Sequence, residues 1–88
     1  MTDSVTEAAA RHWLTRFIDL YEGMDTGGNG DPVHAAREKA RELRDAGPTR
    51  DDPLTIGEQI TAALPGDSHA AMFADGWRDE LERIDARL

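Results

Sequence analysis

Two amphipathic segments, one near each end of the chain, carry aromatic residues at helical spacing and constrain the fold most. In the C-terminal segment the apolar residues recur three or four positions apart, at Phe73, Trp77, Leu81, Ile84 and Leu88. The N-terminal segment has a similar pattern, formed by Val5, Ala9, Trp13, Phe17, Leu20 and Met24. Because these spacings return to one side of an α-helix, each segment needs an apolar surface to cover it. We therefore expect two helices that pack against each other along their aromatic stripes.

Capping and stop signals divide the rest of the chain. Capping boxes at Ser4–Glu7 and Thr55–Glu58, and an Asp31–Pro32 pair, predict helix starts, and Asp67 or Ser68 caps the last helix. The predicted helices span about residues 5–22, 32–46, 55–64 and 68–87, and a flexible Gly-rich loop occupies residues 23–31. No segment alternates with the period of a strand. The sequence thus predicts one all-α domain, residues 1–88, a small bundle of three to four helices.

The apolar content predicts a thin core. Leu, Ile, Val and Phe together supply only 15 of the 88 residues. A chain of this size buries a modest share of its surface on folding and is marginally stable alone. A binding partner would stabilise it, and so would self-association, so a homo-oligomer is one open alternative.

Charge and composition narrow the class of partner. The formal charge is −8, which disfavours direct binding to nucleic acid or to an anionic membrane and favours a partner with a basic surface. There is no cysteine, and no apolar run approaches the length of about 20 residues that spans a bilayer. The first residues lack the pattern of a secretory signal. These features, with nine Arg and one Lys, predict a cytoplasmic bacterial protein.

No reactive motif stands out, and we predict neither a cofactor, a metal nor a catalytic residue. The Gly-rich loop lacks the Gly-Lys-Ser/Thr of a phosphate-binding loop. Its residues Asp25, Asn29 and Asp31 resemble part of a calcium loop, but Ala36 stands where the bidentate glutamate is required. The histidines lie on three separate elements, at His12, His34 and His69, and their spacing does not demand a metal.

Two groups of residues are candidates for binding another protein. The apolar face of the first helix is wider than one neighbour requires, and its aromatic and methionine residues are Trp13, Phe17, Tyr21 and Met24. Acidic residues for steering a basic partner lie at Asp51, Asp52 and Glu58. The simpler interpretation of Trp13 and Trp77 is that both are core residues. The predicted function is a small acidic interaction module, an adaptor, inhibitor or regulatory subunit without chemistry of its own.

Other functions remain alternatives. An auxiliary small subunit of a larger enzyme complex fits a thin core that is completed in a complex. An acidic mimic of nucleic acid is a further alternative, although ten basic residues dilute the negative field. A catalytic or metal protein built on the three histidines is the least supported.

Overall fold

The protein is a bundle of four α-helices, described here from a computed structural model that covers residues 3–28 and 30–87. The helices are α1 (Asp3–Leu20), α2 (Pro32–Ala46), α3 (Asp52–Ala63) and α4 (Ser68–Arg87). A short 3₁₀ turn, Glu22–Met24, follows α1. The described residues contain no strand, so the predicted all-α class is confirmed.

Each helix packs against the next helix in the chain, and α1 also packs against α4, which completes the bundle. α1 packs most extensively against α2, and α4 packs most extensively against α3. The seam between α1 and α4 is made by aromatic side chains: Phe17 contacts Phe73 at 5.2 Å between ring centroids, and Trp13 contacts Trp77 at 6.1 Å. Phe17 follows Trp13 in α1, whereas its partner Phe73 precedes Trp77 in α4, so the two helices are antiparallel. The predicted pairing along aromatic stripes is confirmed.

Two helix starts differ from the predicted positions. α3 begins at Asp52, three residues before the predicted start, and the Thr55 hydroxyl donates to the Asp51 carbonyl inside the first turn. The predicted capping box at Thr55–Glu58 is therefore wrong; Asp51 occupies the cap and Pro53 the first turn. α1 begins at Asp3, which places Ser4 within the helix, and the Ser4 side chain lies outside the described part of the structure.

The core is divided into two clusters that Trp13 joins. The larger cluster gathers apolar residues of all four helices, and Trp77, Leu81 and Ala10 form the smaller one. Trp13 packs partly buried against both. Trp77 is fully buried, and its indole Nε1–H donates to the Arg50 carbonyl at 2.7 Å. This bond satisfies the polar atom of the ring and ties α4 to the connection between α2 and α3.

The Gly76 position gives the Trp13 ring its space. Gly76 lies inside α4, which is continuous from Ser68 to Arg87. A Cβ atom at Gly76 would approach Cη2 of Trp13 to 2.7 Å. The absent side chain therefore allows the large ring of α1 to lie directly against the backbone of α4.

Replacing Gly76 by alanine is expected to destabilise the protein by about 1–3 kcal/mol, because the overpacking outweighs the helix propensity gained. In a Trp13→Phe background, which removes the clashing atoms, the same replacement should instead be neutral or stabilising. Urea unfolding of the four proteins in this cycle measures both effects. An equal effect of Gly76→Ala in both backgrounds would show that the ring does not occupy this space.

Candidate partner-binding groove

An open apolar groove lies between α1 and α4, on the outer side of their aromatic seam. It has a volume of about 320 Å³ and is lined by Trp13, Arg16, Leu20, His69, Met72 and Phe73. Its floor is set by Phe73, which is 6% exposed, whereas its rims expose 53% of Leu20 and 68% of Met72. Large apolar side chains on both rims give the groove a surface that water solvates poorly.

The Arg16 side chain lies at the edge of this groove. Its guanidinium carbon is 4.8 Å from the centroid of the Trp13 ring, a stacked geometry that holds the cation over the aromatic face. Arg16 forms no ion pair with any residue in the described part of the chain. The groove therefore combines an aromatic wall with a guanidinium that has no carboxylate within ion-pair distance among the described residues.

The other end of the groove is fixed by a hydrogen-bonded group at the start of α4. Asp67 accepts the backbone N–H of His69 at 2.9 Å, which caps the helix as predicted for Asp67 or Ser68. The same carboxylate accepts the Tyr21 hydroxyl at 2.7 Å. The hydrogen bond from Tyr21 is the largest cause of a lowered Asp67 pKa, while burial, followed by Asp67, raises the pKa of Tyr21. This bond joins the end of α1 to the start of α4.

The four aromatic and methionine residues that the sequence predicts to bind a partner lie in different environments. Trp13 is half-buried and forms the groove wall. Phe17 and Tyr21 are 0% and 1% exposed, because both rings lie in the core and pack against each other in a tilted arrangement, with centroids 4.7 Å apart. Their assignment to a partner surface needs correction, since neither ring has free surface in this fold. Met24 is 49% exposed in the short 3₁₀ turn.

The acidic candidates lie on α3, away from the groove. Asp51 occupies the cap position of α3, and Asp52 accepts the Thr49 backbone N–H at 2.9 Å. Both therefore stand at the positive end of the helix dipole, where carboxylates stabilise a helix. Glu58 is exposed beside a shallow second depression between α3 and α4. None of the three lines the groove between α1 and α4.

The loop after α1 is held by a side-chain cluster that the sequence analysis missed. Arg37 of α2 is 7% exposed, and its Nε–H donates to the Ile18 carbonyl at 2.8 Å. Its guanidinium also pairs with Asp25, whose carboxylate lies 3.0 Å from Nδ1 of His34. Arg37 thus satisfies a carbonyl at the end of α1 and fixes the start of the loop. Arg37 directly follows Ala36 and precedes Ala40 by three residues, and both alanines are buried. This position beside the apolar face of α2 is the available sequence signal for the role of Arg37.

Asp25 and Asp31 are both stabilised as carboxylates. Burial would raise the pKa of Asp25, but hydrogen bonds from the Gly27 backbone, His34 and Arg37 lower it to about 2. The backbone and hydroxyl of Thr26, and the Val33 backbone, lower the pKa of Asp31. The carboxylate oxygens of Asp25 and Asp31 already accept hydrogen bonds from the loop and from residues of α2. These bonds order the loop and tie it to α2.

Acidification is expected to weaken the fold between about pH 4 and pH 2. The folded-state pKa of Asp25 is about 2, below its ordinary 3.8, so its contribution is present above 3.8 and is lost as the pH falls through the folded value. Unfolding midpoints in urea, measured across this range, should fall less steeply for Asp25→Asn than for the native chain. An Asp25→Asn slope equal to that of the native chain would contradict this role.

The possible metal ligands are not assembled into a site in the described residues. No group of three His, Asp or Glu side chains is placed to hold an ion there. His34 binds Asp25 and His69 binds Asp67, in separate parts of the fold. Asn29, one residue of the calcium-loop hypothesis, lies outside the described residues.

Within the part of the chain that the structure describes, no helix has the length and apolarity needed to cross a bilayer. No protein-family model, curated protein or solved structure matches this chain.

Proposed function

We propose that this chain is a small interaction protein that binds another protein through the groove between α1 and α4. The observation that carries the proposal is the exposure of Leu20 and Met72 on opposite rims of a groove whose wall is Trp13. Aromatic residues and methionine are enriched at protein interfaces, and burial of both rims would release water from apolar surface. An adaptor, an inhibitor and a regulatory subunit all require such a surface.

The overall charge defines a second part of the proposal. A chain of charge −8 attracts a basic surface over long distances, and Asp51, Asp52 and Glu58 add exposed or half-exposed carboxylates along α3. Steering by these groups would raise the association rate, while the groove supplies the contacts that slow dissociation. Association should accordingly slow as salt is added, with a smaller change in dissociation. The proposed setting is the cytoplasm.

Two variants of α1 test the groove. Leu20→Lys places a charge on its rim, and Val5→Lys is a matched control because Val5 is also 53% exposed on α1 but does not line the groove. The tagged proteins are used to capture partners from a lysate of the native host. We expect one stoichiometric partner that binds the native chain and Val5→Lys equally and binds Leu20→Lys at least about tenfold more weakly.

The outcomes also separate the alternatives. Equal capture by Leu20→Lys and Val5→Lys would contradict a role for the groove. A partner that is an enzyme, bound permanently and needed for its full activity, would favour the auxiliary-subunit alternative. Competition with nucleic acid for the partner would favour mimicry, although ion pairs with arginine, such as Arg11–Glu7 and Arg50–Asp85, neutralise part of the acidic surface.

A further inference from the structure

The residues that line the groove between α1 and α4 include a positive charge, at Arg16, in a chain whose formal charge is −8. The chain has 18 acidic residues, yet no Asp or Glu is among the described residues that line this groove. Its two titratable lining residues are Arg16 and His69. His69 is already engaged with Asp67 at 3.1 Å, so Arg16 supplies the uncompensated positive charge.

The structure also limits the shape of the occupant. Between Trp13 and Leu20, α1 advances by about 10 Å, or two helical turns. A small molecule within the groove would contact only those sides of Leu20 and Met72 that line it, whereas an amphipathic helix laid across both rims would cover more of their exposed surface. Apolar residues three or four positions apart on such a helix are about 5–6 Å apart, so two of them fit within this length.

From this geometry and charge we infer that the groove binds an amphipathic helix of the partner protein, with two apolar residues one turn apart and a flanking glutamate or aspartate paired with Arg16. This inference rests on the proposed function and specifies the partner's docking segment. A carboxylate is favoured there because the Arg16 guanidinium is already oriented by the Trp13 ring and has no described ion-pair partner, so little conformational entropy is lost when the pair forms. The partner as a whole can still carry a basic surface that the acidic faces attract.

Two synthetic helical peptides test the inference. Both carry leucines one turn apart, and they differ only in whether the flanking residues are glutamate or lysine. The indole N–H signal of Trp13 reports groove occupancy by nuclear magnetic resonance, and that of the buried Trp77 is the internal control. The charge of −8 predicts tighter binding of the lysine peptide, whereas the Arg16 contact predicts that the glutamate peptide binds about two- to fivefold more tightly.

Charge reversals at Arg16 and Lys39, neither of which has an ion-pair partner among the described residues, complete the test. We expect Arg16→Glu to reverse the preference to the lysine peptide, while Lys39→Glu, which makes the same change of charge on α2 outside the groove, leaves the preference unchanged. Thermal unfolding checks that both variants are folded. Tighter binding of the lysine peptide to the native chain, equal effects of the two reversals, or no Trp13 shift with either peptide would overturn the inference.

Failure of the inference is distinguishable from failure of the proposed function. If host-partner capture depends on Leu20 but is unaffected by Arg16→Glu, the groove binds a partner that lacks the acidic contact, and only the inference is wrong. If capture is independent of Leu20 as well, the proposed function is also wrong.

Discussion

Replacing Trp77 by alanine is expected to lower the free energy of unfolding by about 3–5 kcal/mol, which is enough to unfold a chain of marginal stability. The ring is fully buried at the centre of the smaller core cluster, so its removal leaves a cavity between α1 and α4. It also removes the indole donor that satisfies the Arg50 carbonyl. Urea unfolding followed by circular dichroism measures the loss.

Two further variants separate packing from hydrogen bonding. Trp77→Phe keeps an aromatic ring but lacks the donor, and we expect an intermediate loss of about 1–3 kcal/mol. Trp13→Ala should cost less than Trp77→Ala, because Trp13 is only half-buried. A Trp77→Ala protein with native stability would show that the ring is not part of the core.

The second large effect is expected at Arg37. Replacing it by methionine keeps the apolar stem but leaves the Ile18 carbonyl and the Asp25 carboxylate without their guanidinium partner. We expect a loss of about 2–3 kcal/mol, because hydrogen bonds to a charged group at a buried site contribute more than neutral ones. Chemical unfolding measures the loss, and hydrogen exchange should show the earliest opening at the end of α1.

The neighbouring Arg41 provides the control. Arg41 lies one turn further along α2, and its guanidinium pairs with Glu38 at 2.9 Å. The Arg41 side chain is 40% exposed. Arg41→Met should therefore change stability by no more than about 0.5 kcal/mol. If the two substitutions have equal effects, the buried position of Arg37 has no special importance for the fold.

The periodicity of the end segments was sufficient to predict the fold class and the pairing of α1 with α4. Helical spacing reports which residues need covering, and only two segments carried matching aromatic stripes. The start of α3 was mispredicted because Thr55–Glu58 satisfies the capping pattern locally, whereas Asp51 and Pro53 begin the helix one turn earlier. Local signals compete, and the observed start of α3 places the buried Pro53 in its first turn.

The candidate site was predictable only in part. The spacing identified Trp13 as a candidate anchor, but it could not separate Trp13 from Phe17 and Tyr21, which follow at the same helical spacing and are buried in the core. Met72 and Arg16 become a single surface with Trp13 only when α1 and α4 are antiparallel. The role of Gly76 depends likewise on a contact between distant segments, which periodicity along one helix does not encode.

A photo-activated crosslinking residue at position 72 can identify a protein that occupies the groove. Met72 is 68% exposed on the groove rim, and the same residue at position 5, on α1 outside the groove, is the control. On irradiation in the native host, we expect a specific crosslink from position 72 to one partner protein. Leu20→Lys should abolish this crosslink, and position 5 should give none to that partner. A crosslink of equal yield from both positions, or one unaffected by Leu20→Lys, would contradict a partner-binding groove between α1 and α4.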